Sequence, residues 1–161
     1  MRRVDRIVAI ELMSPGFAFA VLEGPERLID WGGREVQGDV SVFLDKLGQL
    51  LDRYRPDALV LEEPAGSRRG NRGREWLAWA EELASDRRLS IHAVGPEEFR
   101  WRVPLIRKNR HAVATAVARQ FPQLRPALPS QRKPWEAEPA RIAVFVAIAR
   151  AFAAFARSEA A

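Results

Sequence analysis

Residues 58–61 read Ala-Leu-Val-Leu, four apolar positions in succession. A run that short and apolar on both faces is an interior strand covered from above and below, because a half-exposed strand alternates and a helix needs a longer stretch. The preceding segment, residues 40–54, carries Val40, Phe43, Leu44, Leu47, Leu50, Leu51 and Tyr54 at helical spacing, which lays one apolar stripe along a helix. Asp39 is placed to cap its start and Pro56 to end it. A strand buried on both sides next to a one-sided helix makes the chain α/β.

Upstream, three apolar runs at residues 6–10, 17–22 and 28–36 are separated by Ser14-Pro15-Gly16 and Glu23-Gly24-Pro25. Turns this short favour antiparallel neighbours. Gly32-Gly33 inside the third run predicts a bulge or bend there. Downstream, the residues predict a loop rich in glycine and arginine, a helix over 75–85 and a strand over 89–94. A short helix from Pro96, a helix over 109–121, a connection punctuated by proline and a closing helix over 139–157 complete the order. The result is a mixed sheet of about five strands with helices on both faces. One domain spanning residues 1–161 is expected.

With no cysteine, disulfides, thiolate metal sites and cysteine nucleophiles are all excluded. Glu11 interrupts the N-terminal apolar run and Arg150 the C-terminal one, so neither reaches the length that spans a bilayer. No signal-peptide pattern opens the chain, and a cytoplasmic protein without membrane attachment is expected. The net charge of +5, nearly all of it arginine, suits a polyanion such as nucleic acid. An arginine- and alanine-rich composition also follows from GC-rich coding whatever the function, so the charge alone leaves both readings open.

Two carboxylates end apolar strands, Glu11 after Val8-Ala9-Ile10 and Glu62 after Leu59-Val60-Leu61. Acids on separate elements that converge are what two-metal phosphodiester cleavage requires, with hard oxygen ligands around Mg²⁺. A single acid at a strand end is more often a solvated edge or a cap. Two of them in neighbouring strands point toward a site.

The segment Ile7-Val8-Ala9-Ile10-Glu11, followed by Gly16-Phe17-Ala18-Phe19-Ala20-Val21-Leu22-Glu23, resembles the opening of the RuvC-type Holliday-junction resolvases. Arg55-Pro56-Asp57-Ala58-Leu59-Val60-Leu61-Glu62-Glu63 is similar to that family's Pro-Asp strand ending in a catalytic Glu. The resemblance implies an RNase H-like fold, binding of branched DNA, a homodimer, and Mg (or Mn) held by acids. It assigns catalytic, metal-holding roles to Glu11 and Glu62, with Glu11 one methylene longer than the family's Asp. Two further acids belong one turn apart on the last helix. Matching the family's alanine-rich rhythm places Ala143 and Val146 there, whereas sliding to the helix start pairs Glu138 with Arg141. Either register keeps at most one acid, and Glu138 is the candidate third ligand.

Arg68, Arg69, Arg72 and Arg74 form a loop after Glu62 that would border the carboxylate cleft and contact phosphates. Arg107, Lys108 and Arg110 make a second basic cluster beside a helix start, and Arg132-Lys133 a third. Trp76 and Trp79, one turn apart, favour core packing over base stacking, with a place facing the loop left open for Trp79. His92 is read as structural, and His111 as a residue that meets phosphate or water. Two versions of the junction-binding reading remain open, a metal-dependent endonuclease and a non-cleaving binding module or partner subunit. An actin-like ATPase is disfavoured because Leu12-Met13-Ser14 stands where its phosphate loop places glycine.

Overall fold

The computed structural model describes residues 4–65, 69–95, 110–129 and 141–160. Three antiparallel strands open it: β1 (Arg6–Met13), β2 (Gly16–Glu23) and β3 (Leu28–Glu35). Helix α1 (Val40–Tyr54), strand β4 (Ala58–Glu62), helix α2 (Asn71–Asp86) and strand β5 (Ser90–Val94) follow. Helix α3 (Arg110–Gln120), a 3₁₀ turn (Pro122–Ala127) and the long α4 (Ile142–Ala160) complete the described chain. The strand order is β3-β2-β1-β4-β5, with β4 and β5 parallel to β1. This is the mixed five-stranded sheet that the sequence predicts.

Residue alternation divides the core in two. Val8, Ile10, Leu59 and Leu61 pack with Phe43, Leu47, Leu77 and Ala80 of α1 and α2. Ile7, Ala9, Ala58 and Val60 project to the other face and pack with Val113, Val117, Phe145 and Val146 of α3 and α4. The period of two therefore places Glu11 and Glu62 on the α3/α4 face, each continuing an apolar row.

Asp39 caps α1 as predicted, its carboxylate accepting from the Ser41 amide at 2.9 Å. Arg55, in the left-handed region at φ 45°, closes that helix one residue before Pro56. Several expectations are corrected. The β2–β3 irregularity falls where Val21 pairs with Asp30 and Leu22 with Leu28, so Ile29 is the extra residue and the Gly32-Gly33 pair lies in regular ladder. Those glycines instead leave room for the Phe19 ring and the Met13 methyl. Helix α2 begins at Asn71, so Arg72 and Arg74 stand on its first turn rather than in a loop; the Arg74 amide already donates to the Gly70 carbonyl at 3.1 Å. Trp76 stacks on Phe43 at 5.0 Å between ring centres, but Trp79 is 51% exposed and outside the core. The helix expected from Pro96 lies outside the described residues.

At Gly16, where β2 starts, a Cβ would overlap the backbone carbonyl of Arg34 on β3. Backbone cannot swing aside as a side chain can. Gly16→Ala is therefore expected to destabilise the fold by about 1–3 kcal/mol, the usual range for overpacking, measured by urea denaturation. An unchanged midpoint would show that β3 is free to move away from β2.

Candidate functional site

Strands β1 and β4 pair through residues 7–9 and 58–60. Carrying the same register two residues on brings Glu11 level with Glu62. Both carboxylates thus stand on one face at the C-terminal end of neighbouring parallel strands, where ligands collect in open α/β sheets. Ala18, the partner of Glu11 on β2, is small and leaves that side uncrowded. Glu11 is an interior residue of β1 rather than its last, because β1 continues to Met13 against β2.

Guanidinium groups from three elements meet these acids. Arg150 of α4, only 4% exposed, donates to Glu11 Oε1, whose side chain is wholly buried. Arg110, the first residue of α3, donates to Glu11 Oε2 at 2.9 Å. Arg69, just before α2, lies between the carboxylates, with Nε 2.6 Å from Glu62 Oε2 and Nη2 3.3 Å from Glu11 Oε1. It also donates to the Leu12 carbonyl at 2.9 Å. Burial acts to raise the Glu11 carboxyl, but Arg150, Arg110 and Arg69 together outweigh it and hold the group below the usual carboxylate range.

The sequence pattern alone does not single out Arg150, which there only interrupts an apolar stretch. A signal for its pairing is nevertheless present. A lone charge inside the apolar stretch from Ile142 to Phe155 must find a partner when the helix is buried, and Glu11 is the lone charge inside the opposite apolar run. Val146 and Ala143 are buried on α4, and Val146 packs in the cluster that contains Ile7 and Ala9. Glu138, Arg68, Arg107 and Lys108 lie outside the described residues, as do Arg132 and Lys133.

Arg72 donates to the Gly38 carbonyl and lies 5.5 Å over the Trp76 ring, while Arg74 donates to the Asn71 side chain at 2.8 Å. Between the β1–β2 turn and the start of α2 is a cavity of about 300 Å³ lined by Met13, Pro15, Arg69, Arg72 and Trp76. Arg69 forms the wall shared by this cavity and the acid cluster. His111 Nε2 is 2.9 Å from the Pro129 carbonyl, so that ring nitrogen is committed within the protein. No helix among the described residues is long and apolar enough to cross a membrane.

A divalent metal is what the resolvase resemblance implies here. The donor set does not fit one as it stands. Both oxygens of Glu11 and one of Glu62 are engaged by guanidinium groups, and no group of three potential metal ligands occurs among the described residues. Mg²⁺ takes octahedral oxygen ligands at about 2.0–2.1 Å, and cations already fill the approach.

No protein-family model matches the chain, and no curated protein matches it by sequence. Among solved structures, Thermus thermophilus RuvC is similar at a TM-score of 0.62 and 18% identity, over 95% of this chain and 97% of that one. The T. thermophilus RuvC structure in complex with Holliday junction substrate gives 0.61 and 16%, over 98% of each chain. The fowlpox virus Holliday junction resolvase gives 0.57 and 14%, over 96% of this chain and 98% of that one. The chain has the RuvC-like resolvase fold, an RNase H-like α/β architecture, with arginines seated on its strand-end carboxylates.

Proposed function

We propose that this protein is a DNA-binding protein of the junction-resolvase type, acting on branched DNA as a homodimer. The observation that carries the reading is the position of Arg69 and Arg110, partly exposed guanidinium groups beside the strand-end carboxylates of a fold shared along nearly its whole length with a protein described in complex with Holliday junction substrate. Arginines so placed can contact backbone phosphates bidentately. Arg72 and Arg74 on the first turn of α2 extend the basic surface from Arg69, and Arg68, Arg107 and Lys108 are assigned to it by their places in the sequence.

With Arg150 on Glu11, the protein binds rather than cuts. Endonucleolytic cleavage supported by Mg or Mn is the second reading, favoured by one observation: Glu11 and Glu62 share a single cation, Arg69, as two ligands of one site do. That reading makes Glu138 the third ligand. It requires cleavage of four-way junctions by wild type that Glu138→Gln abolishes.

Titration of four-way junction and linear duplex across a salt series tests the binding. Junction is expected to bind more tightly, with two chains per junction. Replacing Arg68, Arg72 and Arg74 with alanine should flatten the log-log salt dependence by about 0.9 for each phosphate no longer neutralised. An unchanged slope removes these arginines from the interface, and equal affinity for both DNAs removes the preference for branches.

A further inference from the structure

We propose that the guanidinium of Arg150 fills the seat beside the strand-end carboxylates where a nuclease of this fold would hold a divalent cation, so that the site meets backbone phosphate through Arg69 and Arg110 with no metal between. The phosphate half rests on the DNA-binding reading above. The occupied seat stands without it.

The three arginines differ in a way that assigns their parts. Arg150 is 4% exposed, rooted in the middle of α4 and directed at Glu11. Withdrawing it would leave a buried guanidinium without its carboxylate, at a cost that a metal ion held by two glutamates would first have to offset. It is the permanent counterion. Arg69 and Arg110 have side chains 28% and 38% exposed and come from the edges of their helices, so an incoming anion can reach them. When a phosphate draws these two outward, Arg150 still neutralises Glu11.

Charge points the same way. Among the described residues, three guanidinium groups converge on the two carboxylates. A bare acid cluster repels phosphate until a metal bridges the two, whereas here guanidinium groups already sit on the carboxylate oxygens that a metal would need. The Arg69 side chain spans both carboxylates and the Leu12 carbonyl, and its planar fork is the group that matches a phosphate bidentately.

Two measurements on the intact protein decide the matter. Free Mn²⁺ is followed by electron paramagnetic resonance during titration of wild type and of Glu62→Gln. The same count of bound ions, with no site below millimolar concentration in either, is expected. A site in wild type that Glu62→Gln removes would overturn the occupied seat. Four-way junction binding is then compared in EDTA and in Mg²⁺ at matched ionic strength, and affinities within about twofold are expected. The double variant Arg69→Ala/Arg110→Ala should bind roughly 100-fold more weakly in EDTA, about tenfold for each charged hydrogen-bond donor removed. Junction binding that requires Mg²⁺, or a double variant that binds like wild type, would overturn the phosphate half. A wild type that binds no DNA with or without Mg²⁺ would refute the DNA-binding reading and the phosphate half with it, while the Mn²⁺ count would still decide the seat.

Discussion

Arg150→Ala is expected to lower the free energy of unfolding by about 3–5 kcal/mol, because removing one partner of a buried ion pair strands the other charge. For a chain of this size that corresponds to a melting temperature lower by roughly 6–20 °C. The cost comes from Glu11, whose side chain is wholly buried at the end of the row Ile7, Ala9, Glu11 and cannot turn to water. Arg69 and Arg110 remain to compensate in part, which places the effect toward the lower end of the range. Replacing both members, as Glu11→Gln/Arg150→Met, should recover most of the stability, since an apolar substitute of similar length avoids the stranded charge. Arg87→Ala, which breaks a solvent-facing pair with Asp52, should leave the midpoint almost unchanged. A destabilisation in Arg150→Ala no larger than in Arg87→Ala would mean that α4 lets water reach Glu11.

The same pair predicts how stability responds to acid. Glu11 titrates lower in the folded protein than its ordinary value of 4.5, so its contribution is complete above that pH and is lost as pH falls through the folded-state value. Wild type should lose stability more steeply than Glu11→Gln below pH 4.5, by up to about 1.4 kcal/mol per pH unit for the one proton involved. Glu23, Asp39 and Asp52 are also held low by their own partners, but they are common to both proteins and cancel in the difference.

Much of this arrangement is legible in the residues. Ala58 to Leu61 announces an interior strand, and Glu62 at its end follows from the same run, because a side chain at the mouth of a covered strand is the first that can be polar. Glu11 is found by the same logic, although its strand runs two residues further, since β2 continues to pair with β1 past the point where β4 stops. The start of α2 is hidden because Gly73, set between Arg72 and Arg74, has the composition of a loop. In the fold, Gly73 sits against the Arg69 side chain, where a larger residue would collide, and the helix runs through it. What local sequence does not convey is the fate of the charges. The neighbourhoods of Arg69 and Arg110 in the sequence point them at phosphate, and that of Arg150 points it at nothing. The interactions that unite them with Glu11 span 58, 99 and 139 residues of chain, and only the register of β1 against β4 and the seating of α4 bring them together. Buried charge is the available clue: one acid and one base, each the lone charge in an apolar run of the sequence, predict each other.

Arg150 also explains why restoring an acid to α4 should not by itself restore a nuclease. Val146 lies one turn before Arg150 on the same helix face, and helical side chains lean toward the N-terminus, so the Arg150 guanidinium covers the ground that a side chain at 146 would face. In Val146→Asp, the new carboxylate is expected to pair with that guanidinium. The variant should fold and cut nothing. Val146→Asp/Arg150→Ala differs, because it sets the introduced carboxylate and Glu11 together without their counterion, near Glu62. Like charges in a buried site are costly, and a divalent cation relieves them. The double variant should therefore be less stable than wild type without metal and gain about 2.7 kcal/mol at a Mn²⁺ concentration 100 times its dissociation constant, read as a rise in melting temperature that wild type and Val146→Asp do not show. Metal-dependent cleavage of four-way junctions is expected in the double variant alone. If Val146→Asp by itself acquires Mn²⁺-dependent stability, Arg150 is not what keeps the metal out. If the double variant folds but shows no response to Mn²⁺, the face of α4 that carries residue 146 does not look onto Glu11, and the acid positions of this fold lie nearer the start of the helix, where Glu138 stands in the sequence.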